Sequence, residues 1–98
     1  MRVRWSPLAT QNLADISAYI ALDNPAAAVR MDDLLSNATT KLSNFPSIGR
    51  AGSIAGTREL IPHPSYRIVY RVLGETVWVL SVVHTSRQWP PVPDEGNG

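Results

Sequence analysis

The stretch Tyr66-Arg67-Ile68-Val69-Tyr70-Arg71-Val72-Leu73-Gly74-Glu75-Thr76-Val77-Trp78-Val79-Leu80-Ser81-Val82-Val83-His84 decides the fold. Its two runs, Tyr66 to Leu73 and Thr76 to His84, are rich in β-branched and aromatic residues, a composition that fits extended, pleated chain. Gly74 and Glu75 separate them, and glycine first in a two-residue loop marks a type II′ turn, so the runs are expected to pair as an antiparallel hairpin. Strand side chains alternate between faces. Arg67, Val69 and Arg71 therefore share one side, and Tyr66, Ile68 and Tyr70 the other. The second run is almost continuously apolar from Val77 to Val83, which predicts a central strand covered on both faces.

Upstream, Thr57 to Ile61 reads as a third strand of the same sheet. Before it, Pro46, Gly49, Gly52 and Gly56, with Arg50 among them, have the chemistry of a loop. Further back the period changes. Ala28, Met31, Leu35, Ala38, Leu42 and Phe45 recur at helical spacing, behind a cap at Asp23-Asn24-Pro25. Ala9, Leu13, Ile16 and Ile20 form a second stripe, and Ser6 followed by Pro7 is an N-cap with proline at the first helical position. The connection is short, so the two helices are antiparallel neighbours that must bury their stripes on something else. Arg2 to Trp5 alternates charged with apolar residues and reads as a strand that joins the sheet at an edge or beside the last strand. The order of elements defines an α+β fold.

Composition sets the limits. The chain has 98 residues, 44% hydrophobic and 17% charged, enough for one compact domain, expected over residues 1–89. Residues 90–98, Pro-Pro-Val-Pro-Asp-Glu-Gly-Asn-Gly, hold too little apolar content to offset their ordering entropy and are expected to form a flexible tail. The absence of cysteine removes disulfides, thiolate metal sites and cysteine nucleophiles, and it suits a reducing, cytoplasmic setting. No apolar run is long enough to span a bilayer, so no membrane partner is expected.

A net charge of +1 is small, but its distribution is lopsided. Between Pro46 and Trp89, Arg50, Arg58, Arg67, Arg71 and Arg87 stand against only Glu59 and Glu75. Every cation there is arginine, whose planar fork suits phosphate or carboxylate. No paired-histidine metal motif, phosphate-cradling glycine loop or glycine-flanked serine is present, so no metal or cofactor is expected. The remaining chemistry is that of a phosphodiester: arginines to hold phosphate and developing charge, and a histidine to move a proton near neutral pH. Arg67, His84 and Arg87 are the candidate catalytic residues, and Arg50, Arg58 and Arg71 the candidate RNA-binding residues. For each, a plain structural role is the competing reading. Arg67 lies in an apolar run where a charge needs a partner, and His84 can simply end a strand. His63, between two prolines, reads as an exposed turn residue. Tyr66, Tyr70, Trp5 and Trp78 read as core, and Trp89 as an anchor at the end of the fold.

Taken in order, Trp5-Ser6-Pro7, Asp23-Asn24-Pro25-Ala26-Ala27-Ala28, Arg58-Glu59-Leu60, Tyr66-Arg67-Ile68-Val69-Tyr70-Arg71-Val72 and Val82-Val83-His84-Thr85-Ser86-Arg87-Gln88-Trp89-Pro90 resemble the RelE/ParE family of bacterial type II toxins over roughly residues 2–90. The resemblance implies an α-helical hairpin packed on a twisted, mainly antiparallel four-stranded sheet. It also implies a cognate antitoxin partner that folds onto the toxin. The family divides by target. Its RelE-like members cut messenger RNA on the ribosome without a metal, and its ParE-like members poison DNA gyrase without cutting RNA. Arg67 stands where the ribonuclease branch carries a catalytic arginine, which favours RNA cleavage. The lysine pair of RelE is missing, no glutamate matches the general base of related ribonucleases such as YoeB, and a histidine such as His84 occurs in both branches, so gyrase remains the alternative target.

Overall fold

The computed structural model describes residues 1–90; residues 91–98 of the expected tail lie outside the described residues. The described elements are β1 (Arg2–Trp5), α1 (Pro7–Ala21), α2 (Pro25–Thr40), a 3-10 turn (Lys41–Ser43), β2 (Arg50–Ala51), β3 (Thr57–His63), β4 (Tyr66–Leu73) and β5 (Thr76–His84). The β4–β5 hairpin forms as expected. Leu73 pairs with Thr76 across the turn, and Gly74 has φ +59° while Glu75 has no positive φ, the pattern of a type II′ turn.

The sheet has five strands in the order β1-β5-β4-β3-β2, one more than expected. The addition is β2, inside the segment read as a loop. Arg50 and Ala51 pair antiparallel with Glu59 and Arg58. The chain there is pinned along β3 because the Arg58 guanidinium donates to the carbonyls of Ser47 and Gly49, at 3.2 and 2.8 Å. Two residues are too few to show a period in sequence. β1 joins at the edge beside β5 and runs parallel to it, the one parallel pairing in a sheet otherwise antiparallel.

Both helices cover the same face of the sheet. Ser6 and Asn24 cap them through their side chains, accepting from the amides of Ala9 and Ala27. Ala9, Leu35 and Ala38 pack with Ile68, Val79 and Val82, and Val3, Trp5, Leu13, Ile16 and Met31 close the periphery. A smaller cluster joins Leu42, Tyr70 and Val77. Phe45 departs from the expected stripe and is 59% exposed. The helix ends at Thr40, and the tighter 3-10 turn changes the angle per residue, so the 3.6-residue period stops before Phe45. β5 also departs from expectation. Its helix-facing residues are buried, whereas Trp78, Leu80 and Val83 are only half-buried on the other face. Trp78 is thus not a core residue.

Two polar devices hold these layers in register. At Leu80 a bulge shifts the pairing, so that Tyr70 faces Val79 while Val69 faces Ser81. The backbone groups it frees are taken up by the first helix. The Ser6 hydroxyl donates to the Leu80 carbonyl at 2.9 Å, and Asn12 Oδ1 accepts from the Ser81 hydroxyl at 2.8 Å and the Val82 amide at 3.1 Å. Tyr70, fully buried, donates its hydroxyl to the Pro46 carbonyl at 2.7 Å and accepts from the Gly49 amide at 2.9 Å. A β-carbon at Gly49 would stand 2.7 Å from the Tyr70 ring, so the clamp requires glycine. Asn12→Ala and Tyr70→Phe each strand buried backbone groups and are expected to lower stability by about 1–3 kcal/mol. Urea unfolding checks this, and a loss below a few tenths would contradict it.

Candidate functional site

The face of the sheet away from the helices carries Arg2, Arg4, Arg50, Arg67 and Arg71. On β4 the alternation sends Tyr66, Ile68 and Tyr70 to the helix side, where they pack in the core, and leaves Arg67, Val69 and Arg71 on the other. β1 alternates likewise. Val3 and Trp5 enter the core, so Arg2 and Arg4 lie on the open face. Neighbouring strands align these residues in rows: Arg4 beside Trp78 on β5, Trp78 beside Arg71 on β4, and Arg71 beside Thr57 on β3.

The next row is built around an acid. Glu59 pairs with Val69 on one side and Arg50 on the other, and its side chain is only 4% exposed. Its Oε1 accepts from Arg50 and from Arg67, both at 3.3 Å. Arg67 is itself 13% exposed at the side chain, and its remaining Nη2 donates to the carbonyl of Arg87. The chain beyond β5 thus doubles back across the open face. Thr85 anchors to Ser65 through its amide at 2.8 Å, and the Ser53 hydroxyl holds the Trp89 carbonyl at 2.6 Å. Val69, beside Glu59 on this face, is fully buried although no helix covers it.

The structure brings together some of the residues singled out in sequence and separates others. Arg50 and Arg67 meet at Glu59, and Arg71 shares their face, its Nε buried with no hydrogen-bond partner, as is the Nε of Arg67. Arg58 lies on the opposite face, across from Tyr70, and is occupied with the Ser47 and Gly49 carbonyls. His84 also lies on the helix side. Its ring meets Tyr66 edge-on at 5.6 Å and its Nδ1 is 2.7 Å from the Ser86 hydroxyl. Arg87 straddles the two sides, its backbone carbonyl on Arg67 and the residue itself at the rim of a cleft shared with His84, Tyr66, Tyr19 and Met31. Arg67 and His84 therefore do not converge. His63, expected in an exposed turn, instead ends β3, pairs with Tyr66 and is half-buried, with Nδ1 accepting from the Ser65 amide.

Sequence reasoning missed Glu59, Arg2 and Arg4. The Arg2/Arg4 alternation with Val3 and Trp5 was visible, but only the parallel register with β5 puts Arg4 beside Trp78. Glu59 becomes notable only once the β3–β4 register sets it near Arg67. Among the described residues, no cluster of side chains is suited to a metal ion, and no helix is long and apolar enough to cross a membrane.

The chain belongs to the RelE/ParE superfamily of type II toxins: the family described as the ParE toxin of the type II toxin–antitoxin system parDE matches residues 3–89. It is similar to the candidate toxin Y4kP of Sinorhizobium fredii, with 40% identity over 92 residues, 93% of this chain and 95% of the relative. It is also similar to toxin RelE2 of Caulobacter vibrioides, with 35% identity over 86 residues, 88% and 97% of the two chains. Among solved structures, the chromosomal ParDE system of P. aeruginosa shares the fold, with TM-score 0.75 and 22% identity, over 86% of this chain and 95% of that one.

The Glu59 cluster yields a stability test. Removing the buried carboxylate leaves Arg67 enclosed without its counter-charge, whereas Arg50 is 62% exposed and can turn to water. Glu59→Ala is expected to destabilise by roughly 3 kcal/mol or more and Arg50→Ala by under about 1 kcal/mol. Equal losses in urea unfolding would contradict the account.

Proposed function

We propose that this toxin, neutralised by a cognate antitoxin, arrests growth by binding DNA gyrase and holding its cleaved DNA complex, without cutting RNA. The single observation that carries this reading is the separation of Arg67 from His84 on opposite faces of the sheet, with the Arg67 guanidinium already engaged by Glu59 and the Arg87 carbonyl. Proton transfer needs the acid or base within hydrogen-bond reach of the reacting group. A phosphate held at Arg67 lies on the face opposite the His84 ring. A binding toxin has no such requirement: it needs a stable, charged surface, which the strap and the arginine rows supply. The fold acts as one domain over residues 1–89, in the cytoplasm, where gyrase and antitoxin are found.

One observation favours a second reading, ribosome-dependent cleavage of messenger RNA. Glu59 touches Arg67 on the open face, and a carboxylate beside an arginine is a pairing of general base with oxyanion stabiliser. In that case Glu59 and Arg67, not His84, carry the chemistry.

Purified toxin added to gyrase, supercoiled DNA and ATP tests the two together. Stabilised gyrase–DNA cleavage complexes are expected, with messenger RNA intact in parallel translation reactions. Message cut at ribosome-bound codons, lost in Arg67→Ala while antitoxin binding persists, would establish the second reading and overturn the first.

A further inference from the structure

The strap covers only part of the open face. Toward the β4–β5 turn the rows continue: Arg2 beside Thr76 and Leu73, then Arg4 beside Trp78 and Arg71. Arg2 and Arg4 are exposed, Leu73 is 49% exposed, and Trp78 and Arg71 are half-buried. Among the described residues none of these three arginines makes an ion pair, in contrast to Arg50 and Arg67 further along the same face. The Nε of Arg71 is buried and donates to nothing. The guanidinium forks of arginines that make no ion pair are donors a carboxylate can take up. Glu75 lies in the turn beside Arg2, and among the described residues it forms no ion pair with it.

We infer that this half of the sheet, centred on Trp78 between Arg4 and Arg71, is the docking surface for an acidic segment of the antitoxin carrying an apolar anchor. The inference rests on the toxin–antitoxin reading above and adds to it the surface and the chemistry of the segment. Charge complementarity selects the occupant: carboxylates meet Arg4, Arg71 and Arg2, while an aliphatic or aromatic side chain lies on the indole and on Leu73. Size agrees. The row from β1 to β3 spans three interstrand gaps, about 14 Å, and two turns of helix measure about 11 Å. A nucleic-acid strand fits less well. The chain's net charge is only +1, far from the strongly basic balance of such proteins, and Trp78 offers a single stacking platform where single-strand-binding sheets use several.

The test uses the protein encoded by the reading frame adjacent to this chain's own, purified and titrated onto the full-length toxin by calorimetry. The wild type is expected to bind, with affinity falling as salt rises. Arg4→Gln with Arg71→Gln weakens binding by about tenfold or more and flattens the salt dependence. Arg30→Gln, on the exposed side of α2, leaves both unchanged. Arg4→Glu alone, on an exposed edge-strand position that cannot unfold the core, loses affinity and regains it when a facing acidic residue of the partner is changed to lysine. Wild-type binding with unaltered affinity in the Arg4 and Arg71 variants overturns the docking surface and leaves the pairing intact. Failure of the wild type to bind overturns the pairing itself and the docking surface with it. Binding of an oligothymidine of about twelve nucleotides that depends on Arg4 and Arg71, with the partner protein's binding unaffected by the same changes, overturns it in favour of nucleic acid.

Discussion

The pleat of β4 is the constraint on which the rest of the molecule depends. In eight residues it must offer Tyr66, Ile68 and Tyr70 to the helices and Arg67, Val69 and Arg71 to the opposite side. A slip of one residue would drive two guanidinium groups into the apolar core and expose the tyrosines, so the register is held by a penalty far larger than any single contact. The polar devices around it serve that register. Tyr70 clamps the segment ahead of β2, and Asn12 and Ser6 take up the backbone groups released by the bulge opposite Val69 and Tyr70.

The same alternation leaves Val69 on the open face, fully buried beside Glu59, and the strap ties to that face through the Arg87 carbonyl on Arg67. An enclosed carboxylate between two arginines is held by its geometry, not by strong net attraction, because desolvation cancels much of the gain. Its consequence is organisational: one half of the open face is occupied by the protein's own chain and its own ion pairs, and the other half holds arginines that make no ion pair among the described residues. Stability and recognition thus divide a single sheet surface between them.

How much of this was legible in the sequence depends on the range of the interaction involved. Local signals carried well. The Gly74-Glu75 turn, the Ser6 and Asn24 caps and the helical stripes depend on neighbours within a few residues, and each was found where the pattern put it. β2 and the end of α2 before Phe45 were not legible, because one is a two-residue pairing stabilised by Arg58 and the other a change of helix type. For the candidate site, the arginines could be counted but not assigned to faces across strands. Which of them met, and that His84 fell on the far side with Tyr66, depended on three strand registers that no spacing in the sequence encodes. Asn12 and Glu59 illustrate the same limit: on a helix and a strand near the surface each looks solvated, and only tertiary contact makes it a buried partner.

The most direct test of the two-faced sheet is a nuclear Overhauser measurement on the free, isotope-labelled protein, with the His84 ring and the Arg67 side chain assigned. The account predicts cross-peaks from the His84 ring to the Tyr66 ring, cross-peaks from the Arg67 side chain to Glu59 and Arg87, and none between His84 and Arg67. Cross-peaks joining the His84 ring to the Arg67 side chain would contradict it, since they would bring both residues to one face and rebuild the site around a shared phosphate.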